Sequence, residues 1–412
     1  MISFFHISIS RMVSFCHFLS QRKWQRCSPR SRTDSSQSAS TCITLRCRMS
    51  VRQCILLCSV TILGIVGFSC STSLPERIGQ IIDEYRSPQS PGGCLLVANN
   101  DSIIYVEAFG LADLEAGTPN TAKTNFRLAS VTKQFTAMAI LILRERQSLR
   151  LDQTLKDFFP HFSPVGGTIT VQHLLTHTSG LVAYEDVMPE TTTVPLLDRD
   201  VLTLVQSVDT TYFPPGTSYR YSNTGYALLA LIVERVSGMS FASYLKANIF
   251  DPLGMHGTVA FENRISEVRN RAYGYSPAES GTPGYVRTDQ STTSSVLGDG
   301  GIYSSVEDLW LWHQALFTEK LVSKSTLDEA MTPHVTSPDG TVKYGYGWMI
   351  GDIHGLWEVH HSGTTIGFRN SIILIPDRKM VVIVLMNRSD GTAERIAREV
   401  AEVVLREKRT EH

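Results

Sequence analysis

The stretch RLASVTKQF (127–135) sets Ser130 one helical turn ahead of Lys133, at the head of an apolar run that continues as FTAMAILIL (135–143). In a helix, positions i and i+3 are neighbours on one face, so the hydroxyl and the amine can meet. The residues after Lys133 offer almost no polar face for a solvated ammonium. Burial of that kind can carry a lysine from about 10.4 to near 7, at a cost on the order of 4–5 kcal/mol. A neutral amine could then take the Ser130 proton as the hydroxyl attacks a carbonyl, with the helix N-terminus facing the developing oxyanion. The same spacing recurs at Ser20/Lys23 and Ser243/Lys246, and a capping Ser with a snorkelling Lys would produce it without any chemistry. Alone, the spacing leaves both readings open.

Two further stretches bear on the choice. YRYSNTGY (219–226) follows the turn-forming FPPG (213–216) and precedes a strongly apolar helical pattern. On an extended loop, the Tyr221 phenol and the Asn223 carboxamide can point into one cleft, the phenol relaying a proton and the amide holding a substrate amide. Equally, Asn223 could cap the helix while Tyr221 packs beneath the loop. HHSGTTIGFRN (360–370) ends a predicted strand. Alternation puts Trp357, Val359 and His361 on one face, with Glu358 and His360 on the other. Gly363 would let a ligand approach the backbone. A single His at a strand end is more often structural than functional, and with an ordinary value near 6.5 His361 could attract a carboxylate only in its protonated form.

Composition narrows the class. Residues 1–70 carry nine Lys/Arg and one acid, which leaves 29 basic against 38 acidic residues in the remainder. That acidic body argues against a nucleic-acid partner. Seven of the eight cysteines precede residue 71, so Cys94 stands alone in the body and no intrachain disulfide framework is expected there. Residues 1–48, rich in Ser, Arg and Cys, read as a non-native upstream extension; an Arg/Ser-rich transit peptide is the alternative. Met49 then opens a signal-like segment over 49–70. It ends in GFSC (67–70), which resembles a bacterial lipoprotein box and makes Cys70 the expected lipidated residue. An exported chain, lipid-anchored to the membrane at the cell envelope or periplasm, is the expectation, with an uncleaved anchor or simple cleavage as alternatives.

Within the body, GGCLLVANNDSIIYVEAFG (92–110) reads as a hairpin turning at Asn99-Asn100-Asp101. Further strands are predicted at 344–351, 356–363, 371–377 and 380–387, and helices at 74–85, 135–143, 171–177, 225–238, 305–317 and about 393–406. Ser305 and Asp308 stand at capping-box spacing. The expected fold is α/β plus all-α. An antiparallel sheet flanked by terminal helices is built from 71–129 and 335–412, with a large helical lobe, 130–334, inserted into it. A cleft between the two is the natural ligand site. His173 and His177 have the i, i+4 spacing of zinc ligands, but Leu174 stands where the zinc-protease pattern needs Glu, so no metal is expected. No Ser is flanked by Gly two residues away on both sides, which removes the nucleophile elbow of α/β-hydrolases.

Taken together and in order, Ser130-Val-Thr-Lys133, Tyr221-Ser-Asn223 and His361-Ser-Gly363 resemble the signature of the serine β-lactamase and penicillin-binding protein superfamily, specifically its class C β-lactamase-like branch. ITVQHLLTHTSGL (169–181), GDGGIYSSVEDL (298–309) and GTTIGFRN (363–370) also resemble members of that branch, so the likeness spans about 75–405. It implies a β-lactamase/transpeptidase-like fold and an acyl-enzyme mechanism with Ser130 as nucleophile and Lys133 and Tyr221 sharing proton transfer. Asn223, His361, Gly363 and Thr364 would bind substrate, and the Ser130 and Thr364 N–H groups would form the oxyanion hole. It implies no cofactor. The third motif is not Lys-Thr-Gly: Lys343-Tyr344-Gly345 lies one strand too early, and His361 takes the place. That substitution occurs in family members acting as D-alanyl-D-alanine peptidases, D-aminopeptidases or esterases. The expected substrate is a small molecule or peptide, hydrolysed in the manner of a D-alanyl-D-alanine carboxypeptidase or β-lactamase. A carboxylesterase, a D-aminopeptidase and a catalytically silent penicillin-binding-type protein are the alternatives. Sequence alone sets neither the substrate nor the oligomeric state.

Overall fold

The computed structural model describes residues 72–279 and 282–407; stretches 1–48 and 49–70, Cys70 included, lie outside the described residues. An antiparallel sheet of eight strands organises the described chain. In chain order these are β1 (Gly93–Asn99), β2 (Ser102–Phe109), β3 (Val335–Thr336), β4 (Lys343–Tyr344), β5 (Met349–Ile353), β6 (Leu356–Thr365), β7 (Phe368–Ile375) and β8 (Met380–Met386). Their spatial order is β3-β4-β5-β6-β7-β8-β1-β2. The β1–β2 hairpin turns where expected, with Asn100 and Asp101 both at positive φ (48° and 61°). That is the two-residue geometry whose twist matches the flanking strands.

Side-chain alternation explains why β1 and β8 are buried along their whole length. Cys94, Leu96 and Ala98 of β1 join Val381, Ile383 and Leu385 of β8 in one core. Leu95 and Val97 join Val382 and Val384 in a second core on the opposite face. The second core is closed by the terminal helices α1 (Leu74–Ile81) and α5 (Ala393–Glu407), through Ile78, Ile396, Ala397, Val400 and Val404. The first packs against α2 (Lys133–Glu145), α3 (Asn223–Ser237) and α4 (Val306–Ala315). Each aliphatic side chain so enclosed contributes about 1.5–3 kcal/mol relative to exposure. Lys133 through Leu143 of α2 are all buried, which accounts for the missing polar face.

Local readings differ from the structure in four places. The segment 344–351 is two strand ends rather than one strand: Gly347, at φ 79°, turns the chain, and the Gly345 N–H donates to the Trp348 carbonyl. The helix expected over 74–85 stops at Ile81 and tightens into a 3₁₀ turn over Asp83–Tyr85. Ser305 caps α4 by accepting from the Asp308 N–H, but the Asp308 carboxylate accepts from the Gly257 N–H and the Thr258 hydroxyl instead of closing a capping box. The helical middle also contains a small three-stranded sheet, in which Ile302–Ser304 pairs with Phe126–Arg127 on one side and Val259–Ala260 on the other.

Strand β6 presses directly on the segment that carries Ser130. A Cβ on Gly363 would lie 2.1 Å from the Leu128 carbonyl oxygen and 3.3 Å from the Ala129 Cβ. The sequence suggested that Gly363 leaves room for a ligand; the room is taken by the chain itself. Asn370 of β7 adds a hydrogen bond from its Nδ2 to the Arg127 carbonyl, at 2.8 Å. Gly363→Ala should therefore lose about 1–3 kcal/mol by overpacking. At Gly167 a Cβ would meet only the Lys156 Cδ at 3.7 Å, so Gly167→Ala should stay within about 0.5 kcal/mol of the parent. Urea unfolding midpoints test the pair, and equal losses would refute the close approach.

Candidate active site

Ala129 enters the left-handed region at φ 49°, uncommon for a residue with a Cβ, and a 3₁₀ turn over Ala129–Thr132 leads into α2. Strained backbone of this kind persists only where its surroundings hold it, here β6 and β7. Ser130 thus sits on a tight turn before the helix, not on the helix itself. Lys133 is fully buried, and its Nζ donates to the Ser130 Oγ (3.3 Å), the Asn223 Oδ1 (2.9 Å) and the Asp299 carbonyl (2.9 Å). Burial lowers its pKa to about 8, against the opposing pull of the Asp299 and Glu185 charges. The competing Ser243/Lys246 pair has none of this: Lys246 is exposed and bonds Asp251.

Ser222, not Asn223, caps α3, its Oγ accepting from the Gly225 N–H at 3.2 Å. That frees the Asn223 carboxamide, which accepts from Lys133 and donates through Nδ2 to the Glu185 carboxylate at 2.8 Å. The Tyr221 hydroxyl is buried beside Ser130 yet makes no well-formed hydrogen bond. Burial holds its pKa well above the ordinary phenol value, with Ser130 pulling the other way. A phenol so placed stays protonated.

His361 is buried on β6 between two partners, the Ser362 carbonyl (2.7 Å from Nδ1) and the Tyr344 hydroxyl (3.1 Å from Nε2). Only an N–H can face a carbonyl, so Nδ1 carries the proton and Nε2 accepts from Tyr344. Burial lowers the His361 pKa to about 3, against the pull of the Ser362 bond. The imidazolium suggested by the sequence is therefore absent at neutral pH, and a carboxylate finds no charge there. Lys343, the partial Lys-Thr-Gly match, is exposed on β4 while its neighbour Tyr344 reaches His361. His173 and His177 take separate partners: His173 closes a capping box with Thr170, and the His177 Nδ1 accepts from the Ser222 N–H.

Arg127, Ser130, Glu185, Asn223, Asp299 and Thr364 line the resulting cleft, with Thr364 exposed at its rim. Motif reasoning missed Glu185 and Asp299 of the cleft, and Tyr344 as the partner of His361. Asp299 is buried and accepts from the Tyr184 hydroxyl at 3.2 Å. Burial raises its carboxyl to about 6, with the Lys133 charge opposing. Its only sequence signal was a place in GDGGIYSSVEDL, and Glu185 had none.

A family model described as Beta-lactamase matches residues 78–405. The chain belongs to the Beta-lactamase family. It is 32% identical over 313 residues to Penicillin-binding protein 4* of Bacillus subtilis, covering 73% of this chain and 69% of that one. It is 29% identical to the D-aminopeptidase of Gluconobacter oxydans, covering 72% of this chain and 56%, little more than half, of that one. Among solved structures, the octameric penicillin-binding protein homologue from Pyrococcus abyssi superposes with a TM-score of 0.72 at 29% identity, covering 80% of this chain and 77% of that one. The D-amino acid amidase of Ochrobactrum anthropi shares the fold, with a TM-score of 0.68 at 22% identity over 82% of this chain and all of that one. Homologues of this family include serine hydrolases such as the D-aminopeptidase.

As a base Lys133 would work only when neutral, so activity should rise with pH through a midpoint near 8. His361 titrates near 3 and should add no alkaline decline. Profiles of kcat/KM between pH 5 and 10, for a neutral ester and for a donor ending in a carboxylate, should share this rising shape. A midpoint below 6.5, or a decline confined to the carboxylate donor, would contradict the assignment.

Proposed function

We propose that the chain hydrolyses peptide-like amides through an acyl-Ser130 intermediate. The observation that carries this reading is the buried Lys133 amine, tied at once to Ser130, Asn223 and the Asp299 carbonyl. Neutral Lys133 accepts the Ser130 proton as Oγ forms a bond to the substrate carbonyl carbon. The N–H groups of Ser130 and Thr364 serve the oxyanion, and Asn223 orients the substrate amide. As the tetrahedral intermediate collapses, the carbon–nitrogen bond breaks and the leaving amine takes a proton from the Lys133 ammonium, relayed by the Tyr221 phenol. Water then attacks the ester with Lys133 again as base, releasing the acid and Ser130.

Of the substrate classes compatible with this chemistry, a free amino-acid amide or aminopeptidase substrate fits best. A neutral His361 withholds the charge that a carboxypeptidase-type donor would need there, whereas the exposed Glu185 carboxylate offers an anion to a substrate ammonium. The resemblance to D-aminopeptidase supports the same choice. For the leader we propose export and lipidation at Cys70, supported by the GFSC box at 67–70. Two or more acyl chains there would hold the protein at a membrane surface.

Ser130→Ala should abolish fluorophosphonate labelling and turnover, while Ser243→Ala should leave both near wild type; equal loss from the two would refute the nucleophile. Among D-amino-acid amides, D-alanyl-D-alanine peptides, β-lactams and short esters, the amides should give the highest kcat/KM. A clear preference for the peptides would return the reading to a carboxypeptidase, and no turnover of any donor would leave a binding protein. Cys70→Ser should abolish metabolic lipid labelling, and a mature N-terminus downstream of Cys70 would sink the lipid anchor.

A further inference from the structure

We infer that His177 is the positioning residue that sets the Tyr221–Asn223 segment for acyl transfer; this rests on the acyl-serine reading above. His177 follows a short helix, Val171–Leu175, with its own φ at 58°, in the left-handed region. From that position one residue grips the segment in three ways. Its carbonyl accepts from the Arg220 N–H at 3.0 Å. Its Nδ1 accepts from the Ser222 N–H at 3.0 Å. Its ring lies over Tyr221, with centroids 4.3 Å apart and planes 35° apart, and meets Tyr219 edge-on at 6.0 Å.

The arrangement works as a bridge between strands compressed into a single residue. Alternate backbone N–H groups of an extended segment lie on the same edge, so two acceptors from one side fix both the position and the twist of 220–222. Ser222, held at φ −138° and ψ 114°, is also the N-cap of α3, so the grip continues into the residue that follows it. Asn223 then meets Lys133. Tyr221 depends on the grip more directly. Its hydroxyl makes no well-formed hydrogen bond, so the place of the phenol beside Ser130 is left to the packing of its ring. His177 supplies the closest aromatic contact of that ring. A leucine could fill the same buried volume, but it could not accept from Ser222.

The side chain can be separated into its parts. His177→Asn retains an acceptor where Nδ1 stood and tolerates the left-handed backbone. His177→Leu retains apolar volume but no acceptor, and His177→Gln moves the acceptor one methylene outward. Each is measured in the full chain for thermal midpoint, kcat, KM and the rate of Ser130 phosphonylation by a fluorophosphonate. Displacement of a reacting group by about 1 Å can cost on the order of a hundredfold. The expected result is a kcat and phosphonylation rate down about a hundredfold in His177→Leu, with KM within about threefold, and at least about tenfold of that loss recovered in His177→Asn. If His177→Leu does not fold, the comparison of folded His177→Asn with His177→Gln decides, Asn being expected about tenfold faster. Equal rates for a folded acceptor-bearing and acceptor-lacking pair, or for Asn and Gln, would overturn the positioning role. Labelling of Ser130→Ala would instead remove the acyl-serine reading itself, and the positioning role with it. An essential Ser130 beside a fully active His177→Leu would remove the positioning role alone.

Discussion

A primary amine taken out of water must either lose its charge or find an acceptor for each of its protons. Lys133 does both in part. Its three acceptors come from three distant stretches of chain: the 3₁₀ turn at Ser130, the first residue of α3 and the backbone at Asp299. The neutral amine has two N–H groups and one lone pair, so one of the three bonds must reverse on deprotonation. The contact with Ser130 is the longest, and the hydroxyl is the only acceptor of the three that also carries a proton. The reversal therefore falls where acyl transfer requires it. The same amine ties the cleft together and stands where the proposed chemistry needs it.

Around this amine the chain buries titratable rings without burying charge. His177 and His361 are both held below their ordinary values by burial, and Tyr221 and Tyr344 above theirs. The rings pack against one another beside Lys133, while Glu185 and Asp299 bring polarity to the lining of the cleft. That division separates the present third motif from a lysine in the same place. A lysine would bring charge to the substrate, whereas His361 spends both nitrogens on the protein.

Much of this was legible in the sequence because it depends on spacing. The hairpin at Asn99–Asp101, the apolar run after Lys133 and the order of the three motifs each follow from local pattern. What could not be read depends on contacts between distant segments. Nothing in HHSGTTIGFRN says that His361 is buried, and burial is what takes it below the ordinary imidazole value assumed from the sequence. Gly363 was read as open to a ligand because its neighbour, the Leu128 carbonyl, is more than 200 positions away. Asn223 was the cap the sequence offered, and the structure gives that role to Ser222, whose extended backbone precedes the helix. Glu185 sits in no motif and enters the cleft through its bond to Asn223.

The pairing of β1 with β8 sets the order in which this molecule can be made. Gly93 faces Met386 and Asn99 faces Met380, so β1 meets its inner partner only after residues 100–379 have been synthesised. The α1–α5 contact obeys the same schedule. Until then β1, apolar on both faces, has only the half-exposed β2 beside it. Such a topology has high contact order and folds slowly, with sticky surface open in the meantime. The nascent chain must be sheltered until β8 has emerged, and loss of β8 would deprive β1 of its partner as surely as deleting β1 itself.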